Sequence, residues 1–415
     1  MKIVYISHMH LGNDFALENI GGIQRMSTQL LNSLEVHKEL EVIPMLCYVD
    51  REKMLIPATI FWIRMMLVLP GVIIRHQPDA IVFTSMVTAH LAIPIRIFGI
   101  RTPLITINHG HDITMPSPWY QFLLKRVTFP LLDGTISVSR ATRQATLKRG
   151  VENNKAIVIP NGLELGEWKN GKSKRKAREL LRQTFDLPLK KDTKIMLTIG
   201  RQVRRKGHKW FIEEILPQVK CNCMYLVIGD GPEHDKIIKA VNNSPIKNKI
   251  LVLGRQPDNV VKLAYRAADV FIMPNIKVHN DMEGFGLVMI EANSSETPVI
   301  ASDLEGIKDV IANGENGYRI RYKNAKSFAK KIDEVLSGDY EKLGKNSREY
   351  VEANFTWDAI SKKYIKKIDR LSEIKKKELL EKRKTMVKRF SFGRIDYEKV
   401  ASWMARLAGN GTSNT

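Results

Sequence analysis

Cysteine is scarce in this chain: Cys47, Cys221 and Cys223 are the only three in 415 residues. Three thiols build no disulfide framework, and the spacing of Cys221 and Cys223 completes no zinc pattern, so a reducing compartment fits best. No Asp-x-Asp triplet occurs, so the carboxylate pair that often holds a divalent metal on a nucleotide diphosphate is missing. The start, MKIVYISHMH, becomes strand-like at once, without a basic-then-apolar leader. The most apolar stretch, 55–74, is about long enough to span a bilayer. It is interrupted by Pro57, Arg64, Pro70 and Gly71, which argue against a free-standing span. No short-period repeat is present. These absences lead us to expect a cytoplasmic protein without a transmembrane helix, and neither a bound metal nor a cofactor.

Acidic residues are also under-represented. Asp and Glu number 44 against 66 Lys and Arg, a net of +22. Residues 361–415 hold sixteen basic and six acidic side chains, so nearly half the excess lies in the last eighth. Such a balance points to a polyanionic partner: anionic lipid, nucleic acid or phosphorylated substrate. Otherwise the composition is that of a soluble globular protein, 44% hydrophobic and 27% charged. Its length suggests two cores.

Short β-branched runs alternate with helical patterns along most of the chain. Expected strands are 2–8, 41–46, 80–85, 104–108, 134–139 and 156–161, then 194–200, 224–231, 249–254, 269–275 and 298–303. Their apolar runs are continuous rather than alternating, as in parallel strands covered on both faces. Strand–helix alternation that restarts near 194 implies two doubly wound α/β domains in series. The polar, basic segment 168–192 reads as the seam, 324–375 as helices, and the last residues, AGNGTSNT, as a frayed end. In open parallel sheets ligands bind beyond the carboxyl ends of the strands, which makes the cleft between the domains the expected site.

Four constellations lie at such strand ends. After the first strand, Gly21-Gly22-Ile23-Gln24-Arg25 precedes a helix. Paired glycines let backbone N–H groups approach a phosphate or sugar at the positive helix end, or they make an ordinary tight connection. Gly200-Arg201-x-x-x-x-Lys206-Gly207 offers a guanidinium fork and a point charge to a diphosphate. With Arg204 and Arg205 beside it, the same loop also reads as a solvated basic one. In EGFGLVMIE, Gly284 and Gly286 free the backbone, and Glu283 and Glu291 stand eight residues apart. One carboxylate could hold sugar hydroxyls and the other a ribose, with the helix N-terminus cradling phosphate between them. The alternative is an N-terminal acidic residue plus a surface Glu. Lastly, NHGHD at 108–112 places His109 and His111 toward the cleft, with His111 reading best as a loop or solvent histidine. No further Cys/His cluster completes a zinc set.

In this order and spacing the four pieces resemble the retaining glycosyltransferases of family 4, which have the GT-B fold. The resemblance runs from residue 1 to about 364. It is most specific over 200–316, in GRQVRRKG, VIGDGPEHDKI, AADVFIMPN, EGFGLVMIEA, TPVIASD and NGENGY. It implies a Rossmann-like acceptor-binding domain over 1–175, completed by a helix at about 356–375. A nucleotide-sugar-binding domain would cover 176–355. By its own Lys-rich composition, 376–415 reads as a basic amphipathic tail. The resemblance also implies that Arg201 and Lys206 neutralise the donor diphosphate, that Glu283 faces the transferred sugar, and that Glu291 holds the ribose. Gly286, Leu287 and Val288 would offer N–H groups, His109 would sit beside the reacting sugar, and Gly22 would lie near the donor phosphates. Two positions depart from the family pattern. Glu296 stands where glycine is common two residues before Pro298, which puts the helix–strand turn in doubt. Glu305-Gly306 replaces paired glycines nearer the phosphate region.

The expected activity is transfer of a hexose from a nucleotide-diphosphate sugar to a lipid-linked or glycan acceptor. Retention would proceed without a covalent intermediate, since no carboxylate is placed to form one. The alternatives are a non-transferring, epimerase-like enzyme of two Rossmann domains, or a basic nucleic-acid-binding protein, which no recognition motif supports. Residues 362–389 mix Lys and Arg with Ile368, Leu371, Leu379, Leu380, Met386 and Val387, an interfacial-helix composition. Phe61-Trp62 and Trp119-Tyr120, flanked by Arg64 and Lys125-Arg126, could add contacts to an anionic membrane. Solvated and core helices are the alternative at both places.

Overall fold

The structure is a computed structural model that describes residues 1–10, 21–48, 55–169, 172–190 and 192–392. The chain divides into a unit Met1–Asp369 and a unit Arg370–Thr415. The second is helical as far as it is described, to Phe392. The rest of the basic tail, including AGNGTSNT, lies outside the described residues, as do positions 170, 171 and 191 of the expected seam.

Two six-stranded sheets build the first unit. The first holds β1 (Lys2–His10), β2 (Glu41–Tyr48), β3 (Ala80–Phe83), β4 (Leu104–Asn108), β5 (Gly134–Ser137) and β6 (Ala156–Val158), in the order β2-β1-β3-β4-β5-β6. The second holds β7 (Lys194–Ile199), β8 (Cys223–Ile228), β9 (Ile250–Gly254), β10 (Val270–Met273), β11 (Val299–Ser302) and β12 (Gly317–Ile320), in the order β12-β11-β10-β7-β8-β9. All strand pairings are parallel. Ile3, Val4, Tyr5 and Ile6 in β1, and Val270, Phe271 and Ile272 in β10, are fully buried, as helices on both faces require. Eleven strands lie where the apolar runs place them. The twelfth, β12, is an edge strand of four residues, mostly half-buried, and carries no continuous apolar run.

Among the helices around these sheets are α1 (Gly22–Glu35), α2 (Leu55–His76), α3 (Lys174–Phe185), α4 (Asp258–Ala267), α5 (Leu287–Ser294) and α6 (Trp357–Phe392). Helix α3 is already bound to the second sheet, because Arg178 pairs with Asp269 at 2.7 Å and donates to the Thr193 carbonyl. The start of α6 returns to the first sheet's helices: Trp357 Nε1 donates to Gln29 at 2.8 Å, and His37 bonds Ser361 at 2.9 Å. Gly162 makes room for that return, since a Cβ there would come within 2.6 Å of the Trp357 ring.

Helix α2 is two-faced. Phe61, Met65, Leu69 and Ile73, spaced by four, are buried in the first core. Ile60, Ile63, Leu67 and Ile74 on the opposite stripe are exposed. By length and composition Thr59–His76 could cross a membrane, but its buried stripe lies against the sheet. Pro70 sits inside it.

The turns at the two departures from the family pattern are intact. Glu296 and Glu305 hold left-handed backbone, with φ of +59° and +46°, where glycine is the unstrained choice. Glu296 is anchored there by Arg266 at 2.8 Å and Arg348 at 3.2 Å. Glu305 accepts a hydrogen bond from the Glu283 amide.

Candidate functional site

The second sheet reverses its strand order between β7 and β10, which are neighbours though far apart in sequence. At such a switch point the two loops leaving the carboxyl ends diverge and open a crevice. Here they are the segments 200–207 and 274–286. They touch at their bases: the Ile276 amide donates to the Arg205 carbonyl at 2.9 Å. Gly207 lies so close to Pro274 that a Cβ would fall 1.9 Å from its carbonyl oxygen. Gly207 also has φ of +69°, so glycine is required here twice over.

Between these loops sits Glu283, 7% exposed. One oxygen, Oε2, receives Lys206 Nζ at 2.7 Å, Arg205 Nη1 at 2.9 Å and Asn275 Nδ2 at 3.0 Å. Burial alone would raise the pKa of this carboxyl, but the two cations outweigh it and hold the group at about 2. Glu283 is therefore a fixed anion. Arg205 also pairs with Asp281 at 3.0 Å. It is thus the second cation of the cluster and not a solvated loop residue. Arg201 is exposed just beyond the end of β7, without an ion-pair partner among the described residues. Glu305 joins the cluster through the Glu283 amide, which donates to its carboxylate. Burial and the Glu283 charge outweigh its bond to the Glu283 amide and raise its pKa to about 6.

Helix α5 begins one residue after Gly286, whose φ is +89°. A Cβ there would approach Met289 Cε to 2.6 Å. The amides of Leu287 and Val288 lie in the first turn, where no intrahelical acceptor exists. One turn further on, Glu291 is 7% exposed. Its Oε2 accepts from the Tyr265 hydroxyl at 2.9 Å and its Oε1 from Arg25 Nη1 at 3.1 Å. The surface-Glu alternative for this residue is excluded by that burial.

The first sheet meets this site with backbone. Gly110 and Gly284 are in contact, and a Cβ on Gly284 would lie 1.7 Å from the His109 carbonyl oxygen. His109 Nε2 is 2.7 Å from the Thr84 carbonyl. A carbonyl only accepts, so Nε2 carries the proton in this bond. His111 is exposed, 3.8 Å from Asp281. Gly22 begins α1 and faces α5: a Cβ on it would stand 3.6 Å from Leu287 Cδ1. Two further links cross between the sheets, Arg25 to Asp258 at 3.1 Å and Arg140 to Asp309.

Of the residues singled out in the sequence, Lys206 and Glu283 are brought together and Glu291 is buried nearby in α5, whereas Arg205, Asn275, Tyr265, Glu305 and Arg25, which bond to them, carried no mark as their partners. Asn275 ends a strand-like run and Arg25 follows the glycine pair. Their positions were legible, but their partners, 8 and 266 residues away, were not. No group of three or more His, Cys, Asp or Glu arranged to hold a metal occurs among the described residues.

Two parallel Rossmann-like sheets meeting in this way are the GT-B fold. Residues 181–350 match the family described as Glycosyl transferases group 1, and residues 47–167 match Glycosyltransferase Family 4. The chain belongs to the family 4-type glycosyltransferases. It is 27% identical to an uncharacterized glycosyltransferase of Methanocaldococcus jannaschii over 55% of this chain and 58% of that one. It is 25% identical to the capsular polysaccharide biosynthesis glycosyltransferase CapM of Staphylococcus aureus, over 65% and 70%. The crystal structure of Anabaena HepE in complex with UDP superposes with a TM-score of 0.70 at 18% identity, over 89% of this chain and 100% of that one. HepE has also been solved with UDP-glucose.

Proposed function

We propose that this protein is a metal-independent, retaining hexosyltransferase that uses a nucleotide-diphosphate sugar. The observation that carries the reading is the buried Lys206–Glu283–Arg205 cluster at the switch point of the second sheet, eight residues before the buried Glu291. A permanently ionised carboxylate suits sugar hydroxyls, since it presents two acceptor oxygens. The buried Asn275 Oδ1, which has no partner, is a second acceptor at the same place. Glu291 holds the ribose, and UDP-bound HepE supports a nucleotide donor.

In the reaction the bond from the anomeric carbon to the diphosphate oxygen breaks, and its electron pair leaves with the phosphate. The acceptor hydroxyl attacks from the same face and passes its proton to the departing diphosphate. Arg201, Lys206 and the amides of Gly286, Leu287 and Val288 stabilise the charge that develops there, with Gly22 close by. His109 lies beside the reacting sugar. Catalysis is then electrostatic, and excess EDTA should leave the rate unchanged. Glu283→Ala should lower turnover by about 100-fold or more, while nucleoside diphosphate affinity changes little. Turnover with UDP-, GDP- and ADP-hexoses is the measurement, and full activity in that variant would sink the assignment.

The acceptor we favour is lipid-linked or a glycan, reached from the inner face of the cell membrane. What supports a membrane partner is the outward stripe of α2, Ile60, Ile63, Leu67 and Ile74, with exposed Trp119 and Phe122 nearby in sequence to Lys125 and Arg126. The contacts expected from the sequence need correcting. Phe61 is buried, Trp62 bonds the Val87 carbonyl, and the Tyr120 hydroxyl donates to the Asp112 carbonyl. Only Trp119 of the four aromatic residues is presented outward. Between residues 55 and 132 the only acidic residues are Asp79 and Asp112, against six Lys and Arg, so the face meets an anionic bilayer without repulsion.

A further inference from the structure

Arg25 has no role in the transfer itself, yet it reaches across to the carboxylate assigned to the ribose. Its Nη1 lies 3.1 Å from Glu291 Oε1 and its Nη2 3.1 Å from Asp258 Oδ1. The guanidinium spans two acids of the second sheet's helices while its own backbone belongs to the first turn of α1, three residues after Gly22. All three side chains are largely buried, at 18%, 9% and 12% exposure for Arg25, Glu291 and Asp258.

The two acids are not equally dependent on Arg25. Asp258 keeps Lys262 at 2.9 Å if Arg25 leaves. Glu291 keeps the Tyr265 hydroxyl on Oε2. Tyr265 is fully buried, and burial together with the Glu291 charge raises its pKa well above the usual phenol value, so it remains a donor. What Arg25 alone supplies is the bond to Oε1. That oxygen is the one through which a ribose hydroxyl would be held, because Oε2 is committed to the interior.

We propose that Arg25 is a displaceable latch on the donor site: it occupies the ribose-binding oxygen of Glu291 from the opposite sheet, and the ribose diol of a nucleoside diphosphate must displace it. Closure of the two sheets through Arg25 and loading of nucleotide therefore compete for one carboxylate oxygen. A guanidinium suits this role because its planar fork holds two carboxylates at once. It can surrender Nη1 while Nη2 stays on Asp258. The inference rests on the reading of Glu291 as the ribose carboxylate.

The test is calorimetric binding of the tightest of UDP, GDP and ADP, together with its 2′,3′-dideoxy counterpart, to wild type, Arg25→Ala and Arg25→Lys. The latch predicts that Arg25→Ala tightens binding of the ribonucleotide by about 5-fold. Arg25→Lys, which reaches only one acid at a time, should fall between. The dideoxy compound, which cannot contest Oε1, should bind wild type and variants alike. Unchanged or weaker ribonucleotide binding in both variants, with melting temperatures preserved, overturns the latch. Equal affinity of Arg25→Ala for the ribo and dideoxy compounds, or no binding of any of the three nucleotides, overturns instead the assignment of Glu291. If Arg25→Ala proves unstable, Arg25→Lys decides by the same comparison.

Discussion

Glu283 gathers three donors on a single oxygen, whereas Glu305, its neighbour in space, is pressed by burial and by the Glu283 charge. The two acids consequently respond to pH in opposite senses. The pKa of Glu283 falls from 4.5 to about 2 on folding. Its contribution to stability is complete above about pH 4.5 and is lost as pH falls toward 2. The pKa of Glu305 rises from 4.5 to about 6. The folded protein then binds the proton more tightly, and stability falls as pH climbs from about 4.5 through 6. Glu305→Gln should remove that second slope. It should melt higher relative to wild type at pH 7 than at pH 4.5, by an amount equivalent to about 1 kcal/mol after solvent screening. Thermal melts of both proteins across this range check the sign. A difference independent of pH would show that Glu305 does not titrate there.

Helix α2 shows how one element can satisfy a core and still carry an apolar surface. Its buried residues recur every four positions, and its exposed ones, Ile60, Ile63, Leu67 and Ile74, lie on the opposite stripe with Arg64 and Arg75 beside them. Leu67 is 78% exposed, so Leu67→Glu should alter stability by no more than about 0.5 kcal/mol. The same change places an anion against the bilayer. Sedimentation with anionic liposomes at low salt should drop several-fold in Leu67→Glu, and further with Trp119→Ala. Binding equal to wild type in the double variant would remove this face from membrane attachment. Wild type that stays in the supernatant would remove the membrane itself.

Across the whole molecule the two sheets approach through backbone at His109–Gly110 and Gly284, with Arg25 and Arg140 bridging on either side. Gly284 is the tightest point, and no rotamer change can relieve a Cβ there because the obstacle is a carbonyl. Gly284→Ala should therefore force the sheets apart, lowering the melting temperature by about 5 °C and turnover much more than nucleotide affinity. Scanning calorimetry and the hexose-transfer assay separate these effects. Arg140→Ala, by contrast, should change less, since the Arg140 side chain is 72% exposed and Asp309, 12% exposed, keeps its bond from the Arg140 backbone amide.

The sequence by itself determined the two sheets, because strands buried on both faces must be written as continuous apolar runs. It could not mark β12, an edge strand with little to bury. It also marked Lys206 and Glu283, since charged residues beside glycines after strand ends are conspicuous, and Glu291 eight residues further on. Only the tertiary structure decided that Arg205 joins Lys206 on Glu283. It likewise decided that Glu296 and Glu305 accept left-handed turns where glycine is the easier choice. Which cation reaches an acid 78 residues away depends on how a loop crosses the switch point between β7 and β10. That path is set by Gly207 packed against Pro274, a contact no local pattern records.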